Sequence, residues 1–460
     1  MIPIETPANF SASPYPAPSV EGRGCGGGEA YPRSLILTTE QRRRRGDEPK
    51  VFYGWILVAL AFLLQFVAGG TLFQSFPVFL LPFSEEFGIG RAEAALPPVA
   101  MMLSGMVSSP LIGLALSRFP IRNVMLMGAL GMALGFFALS RSTEYWQVLV
   151  IYALIGPAAM GALGTLACSS LIVNWFEQKR AMAVGVAMIG LSISGAFMIP
   201  AATWGVENWG WRGVFEAFSL AGLALIPLIA WLVVTRPSDM GLTPDGDVLV
   251  SSATATAEVD APTPSSLRSL LASPSLWLIG AACGLAYMGA LPVMNHGIAF
   301  AIDRGIDPMR AAALLSAISL GAATGKVVFG WLSDHLGEKR AFGVTLCVQF
   351  ISLFGLWALS TYASLVIAGA FFGLGLGGIA PLQAALLARG FGSHDFSRVM
   401  GLIGPLMIPF QVVGPPLAGW IFDTQGSYDL AIWIFMGTTL AGALVISFLH
   451  LPQAPRAAEA

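Results

Sequence analysis

The sequence predicts an all-α membrane protein with twelve transmembrane helices in two pseudo-symmetric halves of six. Three features predict this fold: the composition, a series of apolar runs, and a polar interruption between the sixth and the seventh run. Of the 460 residues, 55% are hydrophobic and only 11% are charged, whereas soluble domains average about 25% charged residues. This composition excludes an ordinary soluble domain.

Twelve apolar segments reach the length of about 20 residues that a helix needs to cross the hydrocarbon core. Segments one to six lie near 53–82, 94–117, 122–140, 146–174, 180–205 and 213–235. Segments seven to twelve lie near 275–301, 309–333, 340–359, 362–388, 398–422 and 427–450. Because the number of crossings is even, both ends of the chain are predicted on the same side of the membrane.

Polar stretches divide the chain around these segments. Residues 1–50 are rich in Pro, Gly, Ser and charge, which predicts a disordered tail. Residues 236–273 are rich in Ser, Thr, Ala, Pro and Asp, which predicts a mobile linker. The linker separates a first half, 51–235, from a second half, 274–450, and a short tail follows at 451–460.

The distribution of basic residues predicts that the linker and both termini are cytoplasmic. The run Arg42–Arg45 precedes the first segment, and ten basic residues fall in loops on that same side: Arg118, Arg122, Lys179, Arg180, Arg236, Arg268, Lys339, Arg340, Arg389 and Arg398. Loops on the other side hold five: Arg91, Arg141, Arg212, Arg304 and Arg310. Since cytoplasmic loops carry the excess of Lys and Arg, we expect a multi-pass protein of the cell membrane with cytoplasmic termini.

The two halves also repeat each other. Gly113 and Arg122 recur as Gly330 and Lys339, an offset of 217 residues (330 minus 113). Arg180 and Arg398 each open a segment after a charged loop, at an offset of 218 (398 minus 180). Two similar offsets indicate duplication, and a pair of six-helix repeats is typical of a transporter whose site lies between the repeats.

One ammonium group lies inside an otherwise apolar run. Lys326 precedes Asp334 by eight residues, about 12 Å along a helix, which places it deep in segment eight. A charge inside the membrane is costly and usually marks a pathway or a ligand. The alternative is a lysine that snorkels to the interface on its long stem. Lys326 is therefore the first candidate for a substrate-binding residue.

Several short motifs of the chain carry a family resemblance. The sequence GWLSDHLGEKR at Gly330–Arg340 resembles the loop signature between helices eight and nine of the major facilitator superfamily, whereas the first-half copy, GLALSRFPIR at Gly113–Arg122, is degraded. Further motifs are Tyr53-Gly54-Trp55, Trp175-Phe176, Gly210-Trp211-Arg212 and RPSDMGLTPDG at Arg236–Gly246. Together they resemble the branch of the superfamily that holds monocarboxylate transporters and oxalate/formate antiporters, and the resemblance covers about 53–450.

This resemblance implies a secondary transporter that moves a small organic monocarboxylate by alternating access. It implies a monomer in the lipid bilayer that needs no bound cofactor or metal and no nucleic acid. Co-transport of a proton stays an open question, as do symport, exchange and the direction of transport.

Charged loops at the predicted cytoplasmic ends are candidates for a gate. Gly337 suits a tight turn, and Asp334 can face a helix amino terminus. Such a cluster can form in one conformation and break in the other. We predict a latch made of Gly330, Asp334, Gly337, Lys339 and Arg340, with Arg118 and Arg122 in the first half. A basic loop that only sets topology is the open alternative.

Three further polar residues are predicted to bind the substrate. His296 follows Asn295 in segment seven, where members of this branch often have a histidine. Its imidazole can donate to a carboxylate or transfer a proton, or it can be a neutral group bonded to a neighbouring helix. Gln74 stands near the place where proton-coupled relatives have a lysine, and its amide can orient a carboxylate.

The chain departs from that branch in segments eight and eleven. Ala322 stands one turn before Lys326, where the relatives pair an aspartate with an arginine, so coupling of a proton through that pair is not expected. Segment eleven has no interior charge, whereas oxalate exchangers carry a second cation there. A single interior cation favours a single carboxylate.

Other functions fit the sequence less well. Export of a lipophilic compound, or a non-transporting membrane sensor with the same fold, are the alternatives to carboxylate transport. An integral-membrane enzyme would need a cluster of His, Asp, Glu or Cys at one depth, which the sequence does not show. The glycine run Gly373–Gly378 is predicted to permit close helix packing rather than nucleotide binding, because it lies within a spanning segment.

Overall fold

The computed structural model describes residues 52–176, 180–242 and 267–450, and every regular element within these ranges is helical. The predicted tails at 1–50 and 451–460 lie outside the described residues. Eleven helices of the described part are long and apolar enough to cross a membrane. The longest, Met182–Leu232, contains two helices, because Gly210 has the non-helical backbone angles φ 69° and ψ 168°. The architecture is therefore the predicted one of twelve helices in two halves.

The helices of the first half are α1 (Tyr53–Phe87), α2 (Arg91–Arg118), α3 (Ile121–Ser140), α4 (Tyr145–Trp175), α5 (180–209) and α6 (211–232). The helices of the second half are α7 (Pro274–Asp303), α8 (Pro308–Leu336), α9 (Glu338–Ala358), α10 (Tyr362–Gly392), α11 (Arg398–Gln425) and α12 (Asp429–Ser447). The predicted boundaries differ by at most a few residues, because the polar residues at helix ends continue the helix beyond the apolar run.

The linker is partly helical at its two ends. A 3₁₀ turn, Pro237–Met240, follows α6, and a short helix, Leu267–Leu271, precedes α7. Local contacts order these two ends: the backbone N–H of Arg236 donates to Asp239, and Leu270 packs against a buried cluster. The mobile linker over 236–273 stays a prediction. Residues 243–266 lie outside the described residues.

The backbone supports the duplication. Gly88, which ends α1, and Gly305, which follows α7, both have positive φ angles, 62° and 77°. They are 217 residues apart (305 minus 88), the same offset as the loop motifs. Because non-glycine residues rarely adopt these angles, the shared turn geometry is a mark of the repeat.

Glycines allow the backbones of α8 and α10 to pack closely. A Cβ on Gly373 would lie 2.0 Å from the carbonyl oxygen of Ile318, and one on Gly377 would lie 2.1 Å from that of Ala322. Reciprocally, a Cβ on Gly325 would lie 2.1 Å from the carbonyl oxygen of Leu374. The two backbones therefore touch, which confirms the packing explanation of the glycine run. This contact fixes the orientation of α8 and thereby of Lys326.

The two ends of the bundle differ in packing. We call the end where α1 begins and α12 ends the termini side, and the opposite end the far side. At the far side α2 touches α11, since a Cβ on Gly419 would lie 2.4 Å from the backbone nitrogen of Ala92. Toward the termini side, a Cβ on Gly113 of α2 or Gly401 of α11 would meet no described atom within 4 Å. α2 and α11 are thus in contact at the far side, and neither of these two glycines makes such a contact toward the termini side.

Candidate functional site

Lys326 lies at the contact between the two halves. Ten residues separate it from the end of α8 at Leu336, a depth of about 15 Å along the helix axis. Its ammonium group donates a hydrogen bond to the hydroxyl of Ser192 on α5. Lys326 therefore does not snorkel to the surface in this structure, and it connects a helix of the second half with a helix of the first.

Gln74 approaches the same part of α5. Its side-chain amide donates to the carbonyl oxygen of Leu191 at 3.4 Å, one residue before Ser192. Gln74 ends a π-helical turn, Gly70–Gln74, within α1. Turns of this kind are rare overall. Where they do occur, they often lie at functional sites, because they redirect a side chain without ending the helix. Lys326, Ser192 and Gln74 together form what we call the Lys326 site.

His296 and Asn295 lie elsewhere, toward the far side. His296 is 3% exposed, and its Nε2 lies 2.9 Å from the carbonyl oxygen of Pro415 while its Nδ1 lies 3.1 Å from the hydroxyl of Tyr428. Since a carbonyl only accepts, Nε2 carries the proton and Nδ1 accepts from Tyr428. Asn295 beside it is also buried. The structure thus divides the four predicted substrate residues into two pairs.

Arg91 at the start of α2 is the centre of a polar cluster that joins the halves at the far side. Its guanidinium group donates to Asp303 at the end of α7, with Nη2 to Oδ1 at 2.8 Å, and to the hydroxyl of Tyr428 at 2.9 Å. The carboxylate of Asp423 accepts from the backbone N–H groups of Arg91 and Ala92 at 2.9 and 3.0 Å. The guanidinium carbon also lies 3.6 Å from the centre of the Phe422 ring.

We call Arg91, Asp303, Asp423, Tyr428 and His296 the far-side network. The Arg91 side chain is 13% exposed and that of Asp303 is 30% exposed, so the ion pair is shielded from solvent. Burial raises the pKa of Tyr428, which keeps its phenol protonated and able to donate to His296. The donors run in one direction, from Arg91 to Tyr428 to His296 to Pro415.

Sequence reasoning missed most of this network. Its charged members stand at the ends of α2, α7 and α11, where charge is ordinary. One signal was available, because Arg91 is a cation on the side that the positive-inside rule disfavours. Other arginines on that side also have partners: Arg141 pairs with Glu216 at 3.1 Å, and Arg212 pairs with Glu86. Three of the five far-side arginines thus have an acidic partner, whereas Arg304 donates to backbone carbonyl oxygens.

The predicted latch residues are apart in this structure. We call Arg118, Arg122, Asp334, Lys339 and Arg340 the termini-side cluster. Four of them, Arg118, Arg122, Asp334 and Arg340, are exposed and make no hydrogen bond or ion pair with a described residue. Lys339 instead donates to the carbonyl oxygens of Ser447 and Leu449 at 2.7 Å, at the end of α12.

The two glycines of that motif have different surroundings. Gly337 has a φ of 81° and turns the chain between α8 and α9, as predicted for a tight turn. A Cβ on Gly330 would meet no described atom within 4 Å. In this structure Gly330 therefore faces open space.

Motif residues of the first half bind its helices together. At the termini side, Tyr53 donates to the carbonyl oxygen of Leu232 at 2.8 Å, and Trp175 donates to that of Val234 at 2.9 Å. At the far side, Trp211 donates to Glu86 at 2.7 Å. These contacts join α1, α4 and α6, so these motif residues stabilise the packing of the half.

A family model and several named proteins match most of this chain in sequence. A family model described as Major Facilitator Superfamily matches residues 58–302 and 290–460. Monocarboxylate transporter 13 of Rattus norvegicus is 28% identical over 409 residues, covering 87% of this chain and 90% of that protein. Monocarboxylate transporter 11 of Mus musculus is 28% identical over 429 residues, covering 87% of this chain and 88% of that protein.

A solved structure is similar in fold. It is the crystal structure of a bacterial homolog to the human lysosomal transporter Spinster, in an inward-facing and unoccupied conformation. The TM-score is 0.65 at 13% sequence identity, and the match covers 86% of this chain and 94% of that one.

Proposed function

The chain belongs to the major facilitator superfamily, and on that premise we propose that it carries a small organic monocarboxylate across the cell membrane by alternating access. The position of Lys326 between the halves supports this proposal. Lys326 is the only Asp, Glu, Lys or Arg of α1 to α12 that lies more than about two turns from a helix end. The relatives named monocarboxylate transporters agree with an anionic substrate of single charge.

The ammonium group of Lys326 forms a hydrogen bond between the two halves. It belongs to α8, but its hydrogen-bond acceptor, Ser192, belongs to α5. A carboxylate that pairs with Lys326 replaces a neutral hydroxyl by an anion at the contact between the halves. Because charge-assisted hydrogen bonds are stronger than neutral ones, substrate binding alters the interaction across this contact.

Access to the Lys326 site alternates in this proposal. We propose that the described state is open at the termini side, where a Cβ on Gly113 of α2 or Gly401 of α11 would meet no described atom within 4 Å, and that the carboxylate enters from there. The positive-inside rule assigns this side to the cytoplasm. The far-side network then breaks and the termini-side cluster assembles, which exposes the site to the far side. We propose that the protein acts as a monomer and that His296 couples transport to a proton.

Binding and uptake by purified protein in liposomes test this function. The panel contains acetate, butyrate, lactate, pyruvate and benzoate, with butyramide as the uncharged control. Lys326→Ala should lower the affinity for the best-bound carboxylate by roughly tenfold to a hundredfold, because a hydrogen bond to a charged group is worth about 1.5 to 3 kcal/mol. Lys326→Arg should retain part of the affinity, since the charge remains while the geometry changes.

Two results would contradict the proposal. One is equal carboxylate binding by the wild type and Lys326→Ala, with both proteins monodisperse. The other is the absence of binding and uptake for all five acids. Weaker binding of butyramide than of butyrate by the wild type, with no further loss in Lys326→Ala, would separate charge recognition from damage to the fold.

A further inference from the structure

Ser319 on α8 has a buried hydroxyl with no partner among the described residues. It is 2% exposed, and its Oγ makes no hydrogen bond. Its neighbours on the same helix behave differently: Ser316 donates to the carbonyl oxygen of Ala312 at 3.0 Å, and Thr324 donates to that of Leu320 at 3.0 Å. Serine in a helix usually satisfies its hydroxyl in this way. The hydroxyl of Ser319 is turned away from its own helix.

The hydroxyl of Ser319 points at α5, next to the Lys326 site. A Cβ on Gly195 would lie 2.2 Å from the Ser319 Oγ and 3.2 Å from the amide nitrogen of Gln74. The lack of a side chain at Gly195 therefore leaves room for both polar groups at one place.

The places where Lys326 and Ser319 contact α5 are close enough together for one small ligand to reach both. Gly195 follows Ser192, the partner of Lys326, by three residues, which is about 4.5 Å along the axis of α5. Residues three apart also share a face of a helix. The ammonium of Lys326 and the hydroxyl of Ser319 thus meet α5 on one face, less than one turn apart.

We propose that Ser319 is a substrate-binding residue whose hydroxyl donates the second hydrogen bond to the carboxylate that Lys326 neutralises. This inference rests on the proposed function. A lysine ammonium is a point charge, whereas an arginine guanidinium offers two parallel donors that match the two oxygens of a carboxylate. The pair of Lys326 and Ser319 supplies two donors from separate side chains, and the carboxylate supplies an acceptor to Ser319, which has none among the described residues.

Binding measurements on Ser319→Ala, with Ser316→Ala as the matched control, test this role. The probe is the acid of the panel of acetate, butyrate, lactate, pyruvate and benzoate that the wild type binds most tightly. Ser319→Ala should weaken its binding about tenfold, and Ser316→Ala should leave binding within about twofold, because Ser316 already bonds to its own helix. Ser319→Thr, which keeps the hydroxyl, should retain most of the affinity.

A second readout separates ligand contact from a structural role. Since the hydroxyl has no partner among the described residues, Ser319→Ala should not lower the melting temperature of the protein without ligand. A structural role would lower the melting temperature and the affinity together.

The Lys326→Arg background makes the test specific. There the guanidinium fork supplies both donors, so adding Ser319→Ala should change the affinity by less than about twofold. A tenfold loss in that background as well would contradict the two-donor role. Wild-type affinity in Ser319→Ala, together with a loss in Lys326→Ala, would overturn this inference while leaving the proposed function intact. Wild-type affinity in Lys326→Ala would overturn the proposed function itself.

Discussion

The far-side network and the termini-side cluster contain similar charges in opposite situations. At the far side, Arg91 of the first half binds Asp303 and Asp423 of the second half. At the termini side, Arg118 and Arg122 of the first half are exposed and make no hydrogen bond or ion pair with a described residue, and Asp334 of the second half is likewise unpaired. Charge alone therefore does not join the halves, since the same residue types make contacts between the halves at the far side and make none with described residues at the termini side.

The difference shows how the far-side network and the termini-side cluster can stabilise two different states of the proposed transport cycle. An interaction that is present in only one of two states shifts their equilibrium by its own free energy. The far-side network favours the state described here, and the termini-side cluster, if it assembles as predicted, favours the opposite state. The Lys326 site lies between these two ends, at the contact of α5 with α8.

Removal of Arg91 should have the largest effect on this balance. Arg91→Gln loses the ion pair and leaves Asp303 without its cation, whereas the backbone hydrogen bonds to Asp423 remain. We expect the population to shift by roughly tenfold to a hundredfold toward the state that is open at the far side. Alkylation of an introduced cysteine at Ala299, which is buried at the far side, should become correspondingly faster.

Arg141→Gln is the matched control. Arg141 also pairs with a carboxylate at the far side, but its partner Glu216 belongs to the same half. This variant should alkylate at the wild-type rate. Equal rates in Arg91→Gln and the wild type would show that the network does not hold the far side closed.

Asp334→Asn should have a smaller effect, in the opposite direction. Since Asp334 has no partner in this state, the substitution leaves the state intact and removes an interaction only from the opposite one. Surface ion pairs are worth about 0.2 to 1 kcal/mol, so we expect conformational exchange to slow by only a few-fold, with carboxylate affinity unchanged. Single-turnover uptake measures the exchange and equilibrium binding measures the affinity. Lost affinity with normal exchange would remove Asp334 from the latch.

His296→Gln should change substrate binding least. A glutamine amide can still donate to Pro415 and accept from Tyr428, so the far-side network survives. A proton on Nδ1 of His296, by contrast, would remove the acceptor for Tyr428 and add a cation near Arg91. Low pH should therefore favour opening of the far side in the wild type.

Uptake driven by an imposed pH gradient checks this role of His296. His296→Gln should bind the best carboxylate within about twofold of the wild type but lose accumulation under the gradient. Accumulation equal to that of the wild type would remove His296 from the coupling.

The fold could be predicted because it depends on local features of the sequence. Run length predicted the helices, and Gly337 in its loop motif predicted the tight turn between α8 and α9, where its φ is 81°. The short helix Leu267–Leu271 was missed because five residues are too few to show a period.

The candidate site could be predicted only where a residue conflicted with its surroundings. Lys326 stood out as an ammonium in an apolar run, and Gln74 was found through the resemblance. Arg91, Asp303 and Asp423 are more than 100 residues apart from one another and each is ordinary at a helix end, so no local pattern relates them. Ser319 was missed because a serine in a membrane helix normally bonds to its own backbone, and only the structure shows that this one does not.

Distances measured between pairs of spin labels at both ends of the bundle test alternating access directly. One pair, at the exposed positions Glu93 and Thr424, spans the far side, and the other, at Ser117 and Gly401, spans the termini side. Cys25 and Cys347 are replaced by serine so that only the introduced cysteines react. With the best-bound carboxylate of the panel, or with Arg91→Gln, the far-side distance should increase while the termini-side distance decreases. Distances that stay constant at both ends, or increase at both, would contradict exchange between these two states.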